Sequence, residues 1–127
     1  MLQGLRSLPL ASQGEFLAED RNVAAAESYL RRALEALHDL GRHLLAKGFG
    51  QPATEYKAVA SGLEQRQVLQ KSEADLMRKM AGYRNRMVHF YSEITPGELY
   101  QICTAHLHEV EDLLEVLLTW LKDHQPE

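Results

Sequence analysis

The sequence of 127 residues has one cysteine, one tryptophan and four prolines, and it contains no apolar run that approaches the ~20 residues of a membrane span. Its single cysteine, Cys103, excludes an internal disulfide and any cysteine-rich zinc site. The apolar neighbours of Cys103 indicate a buried thiol. The first residues lack the apolar core and cleavage site of a signal peptide. We therefore expect a cytoplasmic protein without membrane contact.

The sequence also lacks an excess of positive charge, because 14 Lys and Arg face 18 Asp and Glu, for a net charge of −4. The molecule as a whole is therefore not a polyanion binder that follows nucleic-acid backbones by bulk charge. Any contact with nucleic acid must be local. The length fits one domain, residues 1–127.

Apolar residues recur at three- and four-residue steps and predict a long helix over about 20–47, ended by two glycines and a proline. A shorter helix is predicted over about 54–62. Ser72 is the predicted N-cap of a third helix, and Thr95 opens a fourth over about 96–122 with a capping box. No strand is predicted. The fold class is all-α, an antiparallel four- to five-helix bundle.

The stretch YRNRMVHFY, residues 83–91, concentrates groups suited to phosphodiester chemistry. Arg84 offers a planar fork of donors for phosphate, and His89 can take a proton from a ribose 2′-hydroxyl or give one to a leaving oxygen. Asn85, one turn before His89, can fix the imidazole. On an ideal helix Arg84 and His89 diverge by about 140°, so their convergence requires a distorted helix end or a second subunit. Gly82 suggests the close approach of another helix.

Three further cations, Arg78, Lys79 and Arg86, make the field around this stretch positive and are weaker candidates for RNA contacts. The alternative for Arg84 and His89 is that they only complement the C-terminal end of the helix dipole. From the residues alone, Tyr91 is most simply an aromatic ring that packs at a helix end.

The order Arg84, Asn85, then His89 and Tyr91 resembles the R-x-x-x-x-H-x-Y motif of the HEPN superfamily, and specifically of the HepT-like toxins. The segments EFLAEDRNVAAAESYLRRALEALHDLGRHLLAKG, QPATEYKAVASGLEQ and LMRKMAGYRNRMVHFY are similar to that group as well. The resemblance extends over about 15–121, nearly the whole chain. It is therefore much more specific than the motif alone.

The resemblance implies a metal-independent endoribonuclease that acts as a homodimer, has no cofactor and leaves a 2′,3′-cyclic phosphate. Arg84 and His89 would hold the catalytic positions, with Asn85 in support. It also implies a minimal nucleotidyltransferase (MNT) antitoxin as partner, which transfers AMP to the motif tyrosine, here Tyr91. Residues 1–14 are shorter than the family's first helix. We therefore expect part of the apolar face of the long helix to be uncovered.

Two other interpretations stay open: a non-catalytic helical subunit that docks a minimal nucleotidyltransferase, and a purely structural bundle. The pairs His38/His43 and His106/His108 lack the four-residue spacing of a helical metal site, so no metal is expected. His106 is predicted to be a hydrogen-bonded core residue. The acidic residues Glu109, Glu111, Asp112 and Glu115 are predicted to form a solvated face.

Overall fold

A computed structural model describes residues 2–88 and 94–124, and within these ranges every regular element is a helix. The elements are α1 (Leu2–Arg6), α2 (Gln13–Leu17), α3 (Asp20–Phe49), α4 (Tyr56–Gln65), α5 (Lys71–Val88), α6 (Pro96–Gln101), a π-helical turn (Ile102–His106) and α7 (Leu107–Asp123). The predicted all-α bundle is confirmed.

Helix α3 is the centre of the bundle, because α1, α2, α4, α5, α6 and α7 all pack against it. Most of its apolar stripe is buried, as the sequence periodicity predicts, while Val23 and Leu40 are partly buried. The helix ends as predicted at Gly50, which has φ +60°, and the N–H of Gly50 donates to Ala46 O at 3.1 Å. Glycine adopts this left-handed conformation at little cost.

Glycines allow α3 to approach its neighbours closely. A Cβ on Gly41 would lie 2.8 Å from Val59 Cγ1 of α4 and 3.0 Å from Met77 Cε of α5. A Cβ on Gly62 would lie 2.9 Å from Leu45 Cδ1. A Cβ on Gly82 would meet nothing within 4 Å among the described residues, so the close approach to Gly82 stays a prediction about a partner.

Helix α5 begins at Lys71, so the prediction that Ser72 is its N-cap is wrong. Ser72 lies inside the first turn, and the carboxylate of Glu73 instead accepts a hydrogen bond from the N–H of Gln70 at 2.8 Å. This carboxylate satisfies one of the backbone donors left free at a helix start. Its negative charge also complements the N-terminal end of the helix dipole.

The predicted last helix begins where expected, but it is not continuous. Thr95 Oγ1 accepts from the N–H of Glu98 at 3.2 Å, which confirms the cap. The turn Ile102–His106 is π-helical, and the hydroxyl of Thr104 donates to Tyr100 O at 2.8 Å within it. The wider turn keeps Ile102 and Leu107, which are five residues apart, on the same buried side.

Residues 2–17 cover the first half of α3, so the expectation of an uncovered apolar face is corrected there. Leu5 of α1 and Phe16 of α2 are fully buried, and α2 also packs against α6. The hydroxyl of Tyr100 donates to Leu10 O at 2.7 Å and ties the connection between α1 and α2 to the last helical segment. Two short helices, α1 and α2, thus precede α3.

Cys103 is buried as predicted, and burial raises the pKa of its thiol to about 11. None of the helices in the ranges 2–88 and 94–124 combines the length and apolarity needed to span a bilayer.

Candidate functional site

The last turns of α5 present Arg84 and Asn85 to a groove between α3, α4 and α5. The groove has a volume of about 620 Å³. Its other lining residues come from α3 and from the region where α4 begins, and they are Glu35, Asp39, Arg42, Thr54, Glu55, Tyr56 and Lys57. Three carboxylates and three cations therefore share one concave surface, so the groove is polar without a large net charge.

Arg84 is half-buried, and its guanidinium carbon lies 4.5 Å from the centroid of the Tyr56 ring. Nη1 of Arg84 makes a long contact of 3.5 Å with Oδ1 of Asn85. Nε of Arg84 is buried and has no hydrogen-bond partner among the described residues. The guanidinium is thus held against an aromatic ring and has no carboxylate partner among the described residues.

The other cations of α5 are bound to carboxylates. Nη1 and Nη2 of Arg86 donate to the two carboxylate oxygens of Glu98, both at 2.7 Å. This ion pair raises the pKa of Arg86 and lowers the pKa of Glu98. Arg84 and Arg86 are two residues apart and point about 200° away from each other on a helix, so Arg86 reaches α6 while Arg84 lines the groove together with Asn85.

Arg78 and Lys79 are compensated in the same way. Arg78 pairs with Glu64 at 2.5 Å and with Asp75 at 2.7 Å. Nζ of Lys79 lies 3.3 Å from Glu109. Lys71 pairs with Asp75. Within the described ranges, Arg84 is therefore the one cation of α5 that has no carboxylate within 4 Å.

Two side chains that the sequence did not single out, Tyr56 and His38, complete the environment of Arg84. The imidazole of His38 is fully buried and stacks on the Tyr56 ring, with centroids 4.5 Å apart and planes 6° apart. Nδ1 of His38 lies 2.7 Å from Leu34 O, so its N–H donates to that carbonyl in the neutral tautomer that fits this contact. Nε2 lies 3.4 Å from Met77 O.

Burial lowers the pKa of His38, and this effect outweighs the backbone hydrogen bonds, which act in the opposite direction. The ring is therefore neutral near pH 7. Burial also raises the pKa of Tyr56, although the charge of Arg84 opposes the rise. The phenol thus stays protonated near neutral pH.

The polar residues Glu35, Asp39 and Arg42, spaced by four and three, share one face of α3 and could have indicated this groove. Arg42 pairs with Asp39 at 3.5 Å, and Glu35 with Arg31 at 3.1 Å. The two acidic groove residues of α3 are thus paired with cations of the same helix.

The predictions for His106 and for the acidic residues of the last helix need correction. His106 is half-buried, and the fully buried histidine of the described ranges is His38. Glu109 is not solvated, because its carboxylate accepts from His106 Nδ1 at 2.6 Å and from Lys79. Burial alone would raise the pKa of Glu109, but these hydrogen bonds outweigh it and lower the pKa.

Glu111 pairs with Arg6 of α1 in an exposed contact, so it remains on the solvated side of the helix. Asp112 and Glu115 are exposed, as expected. Within residues 2–88 and 94–124, no cluster of His, Cys, Asp and Glu has the arrangement of a metal site. The predicted site residues His89 and Tyr91 lie outside the described residues.

The arrangement of helices is shared with a chain in a solved structure described as "Crystal structure of the toxin-antitoxin with AMP-PNP". The TM-score is 0.78 over 91% of this chain and 88% of that chain, at 20% sequence identity. This likeness establishes the fold class. No curated protein matches the sequence.

The sequence itself matches the family described as "Ribonuclease HepT-like" over residues 2–117. The chain therefore belongs to the HepT-like ribonuclease family, and the predicted family is confirmed.

Proposed function

We propose that this protein is the toxin of a HEPN/MNT toxin–antitoxin pair and that it cleaves RNA with Arg84 and His89. Family membership supports a ribonuclease. The observation that carries the proposal is the state of Arg84, which faces a polar groove with its charge uncompensated among the described residues. Arg78, Lys79 and Arg86 of the same helix form ion pairs with carboxylates.

In the proposed reaction, His89 takes the proton of a ribose 2′-hydroxyl, and O2′ attacks the adjacent phosphorus. Arg84 stabilises the negative charge that develops on the phosphoryl oxygens, because its fork of N–H donors matches their geometry. The bond from phosphorus to the 5′-oxygen then breaks, and that oxygen takes a proton from an imidazolium. The products are a 2′,3′-cyclic phosphate and a 5′-hydroxyl. Asn85 orients the imidazole.

This chemistry uses the nucleophile that RNA carries, so we propose that the reaction is independent of metal ions. We also propose a homodimer in which two copies of the motif form one cleft. One observation supports a partner at the C-terminal end of α5: Val88, four residues after Arg84, is 41% exposed in the last turn. A dimer also removes the difficulty that Arg84 and His89 point apart on one helix.

We propose a minimal nucleotidyltransferase as antitoxin and Tyr91 as its target. The structurally similar chain comes from a toxin–antitoxin structure with AMP-PNP, which supports a partner that handles adenine nucleotides. In the transfer, the hydroxyl oxygen of Tyr91 attacks the α-phosphorus of ATP, the phenolic proton is released, and pyrophosphate leaves. An AMP group adds charge and bulk two residues from His89. Co-expression with the antitoxin should add about 329 Da per AMP to Tyr91.

The test is cleavage of RNA by the purified protein in the presence of EDTA. His89→Ala should abolish cleavage, and Arg84→Ala should reduce it by about 100- to 1000-fold, the usual loss for one preorganised transition-state donor. Arg21→Ala is the matched control, because this substitution also removes one positive charge and the Arg21 side chain is 91% exposed. Equal cleavage by His89→Ala and the unmodified protein would refute the assignment.

The second candidate function is a non-catalytic subunit that docks a nucleotidyltransferase. The ion pairs of Arg78, Lys79 and Arg86 favour it, because compensated cations attract RNA weakly. Their assignment as RNA contacts therefore stays a prediction. Tight binding of the nucleotidyltransferase, together with no RNA turnover by the isolated protein, would support this alternative.

A further inference from the structure

The groove holds Arg84 in a way that differs from the other cations of α5. A carboxylate would fix a guanidinium by occupying its N–H donors and neutralising its charge. An aromatic face attracts the guanidinium through the ring quadrupole and leaves the donors at the edge of the fork available. At 4.5 Å from the ring centroid of Tyr56, Arg84 is well within the range of this interaction.

Tyr56 is itself held in place from the core. It is the first residue of α4, and its ring lies almost parallel to the imidazole of His38 at 4.5 Å. His38 is fully buried and bonded to the backbone of α3 through Leu34. The stack therefore runs from the backbone of α3, through an imidazole and a phenol, to the guanidinium on α5.

The two groove carboxylates on α3 are paired with other cations. Asp39 pairs with Arg42, and Glu35 pairs with Arg31. The phenol stays protonated near neutral pH because burial raises the pKa of Tyr56. The ring thus presents a neutral aromatic surface to the cation at the pH at which RNA would be cleaved.

We propose that Tyr56, supported by His38, is a positioning residue that orients the guanidinium of Arg84 toward the RNA phosphate. This inference rests on the proposed ribonuclease function and goes beyond it by assigning a role to a residue outside the motif. A long arginine side chain loses much rotamer freedom when it is fixed, and the stack provides that fixation before RNA binds.

The first measurement is NMR of the Arg84 side chain, which needs no RNA. The Nε–Hε resonance, assigned with Arg84→Lys, should be shifted upfield by the Tyr56 ring current. The shift should disappear in Tyr56→Leu and persist in Tyr56→Phe. Tyr29→Leu is the matched control, because Tyr29 is also half-buried and lies 5.2 Å from the guanidinium carbon of Arg32, outside the groove. An unchanged Arg84 resonance in Tyr56→Leu would overturn the proposal.

The second measurement is RNA cleavage by the same variants. Tyr56→Leu should lower kcat about tenfold, the size of a partly desolvated cation–π contact, and change KM much less. Tyr56→Phe and Tyr29→Leu should remain near the unmodified rate. In an Arg84→Ala background, Tyr56→Leu should cause no further loss. A purely structural role would instead lower activity in both backgrounds.

The two measurements separate the two ideas. If the unmodified protein does not cleave RNA, the proposed function fails, and the NMR experiment alone decides whether Tyr56 orients Arg84. If RNA is cleaved but Tyr56→Phe is as defective as Tyr56→Leu, the aromatic contact is not responsible and the positioning role is wrong.

Discussion

Replacement of Gly41 by alanine tests the close packing that brings α3, α4 and α5 together at the groove. The added Cβ would lie 2.8 Å from Val59 Cγ1 and 3.1 Å from Leu63 Cδ1. Val59 is fully buried and β-branched, so its methyl group cannot move away cheaply. Overpacking of this kind costs about 1–3 kcal/mol, and the better helix propensity of alanine offsets about 0.5–1 kcal/mol.

We therefore expect Gly41→Ala to lower the free energy of unfolding by about 1–2 kcal/mol. For a chain of 127 residues, 1 kcal/mol corresponds to a change in Tm of about 4 °C, so Tm should fall by about 4–8 °C. Thermal unfolding followed by circular dichroism measures this change. Gly82→Ala is the matched control, because its Cβ meets nothing within 4 Å in the described ranges and should raise Tm by about 2–4 °C.

A double-mutant cycle makes the result decisive. Val59→Ala should cost less in the Gly41→Ala background than alone, because the clashing methyl group is then absent. A Gly41→Ala protein that melts at or above the temperature of the unmodified protein would refute the packing argument.

The remaining predictions concern a helix cap, a buried histidine and the thiol. Thr95→Ala should lower the free energy of unfolding by about 1 kcal/mol in chemical denaturation, because the N–H of Glu98 loses its acceptor. Thr95→Ser should restore the lost stability. Equal stability of the two variants would contradict the cap. The unfolded chain protonates His38 near pH 6.5, whereas burial lowers the pKa in the folded state, so stability is complete above pH 6.5 and falls as the pH drops below it. His38→Gln should reduce that slope in denaturation curves and His43→Gln should not; an unchanged slope in His38→Gln would be inconsistent with a buried neutral ring. Cys103 should react with a thiol reagent at pH 8 only after unfolding, because its pKa is about 11 and its side chain is buried, and rapid reaction of the native protein would show that the thiol is accessible.

The parts of the fold that the sequence predicted are those set by local signals. The stripe of α3 and its glycine end depend on residues within a few turns of each other, and so does the capping box of Thr95. The start of α5 was missed because a carboxylate at Glu73 caps it instead of the more obvious serine. The π-helical turn at Ile102–His106 was missed because it depends on which residues the core of the bundle accepts.

The candidate site also combines residues with a local sequence signal and residues without one. Arg84 and Asn85 stand out in the sequence because polar residues crowd one turn. Tyr56 and His38 do not, because their roles depend on how α3, α4 and α5 meet in space.

The ion pairs of the cations that flank Arg84 also depend on residues distant in the sequence. The sequence indicates a positive field, but it does not indicate that Arg86 is bound by Glu98 twelve residues later. Charge that is visible along the chain can therefore be absent from the electrostatic field of the folded protein.

Chemical rescue of Arg84→Ala tests most directly the claim that this arginine supplies the cation for RNA cleavage. The variant should cleave RNA about 100- to 1000-fold more slowly than the unmodified protein, and added guanidinium ion should restore part of the rate by occupying the space beside Tyr56. Guanidinium should not accelerate His89→Ala, which lacks the proton-transfer group. Cleavage by Arg84→Ala at the unmodified rate would contradict the account.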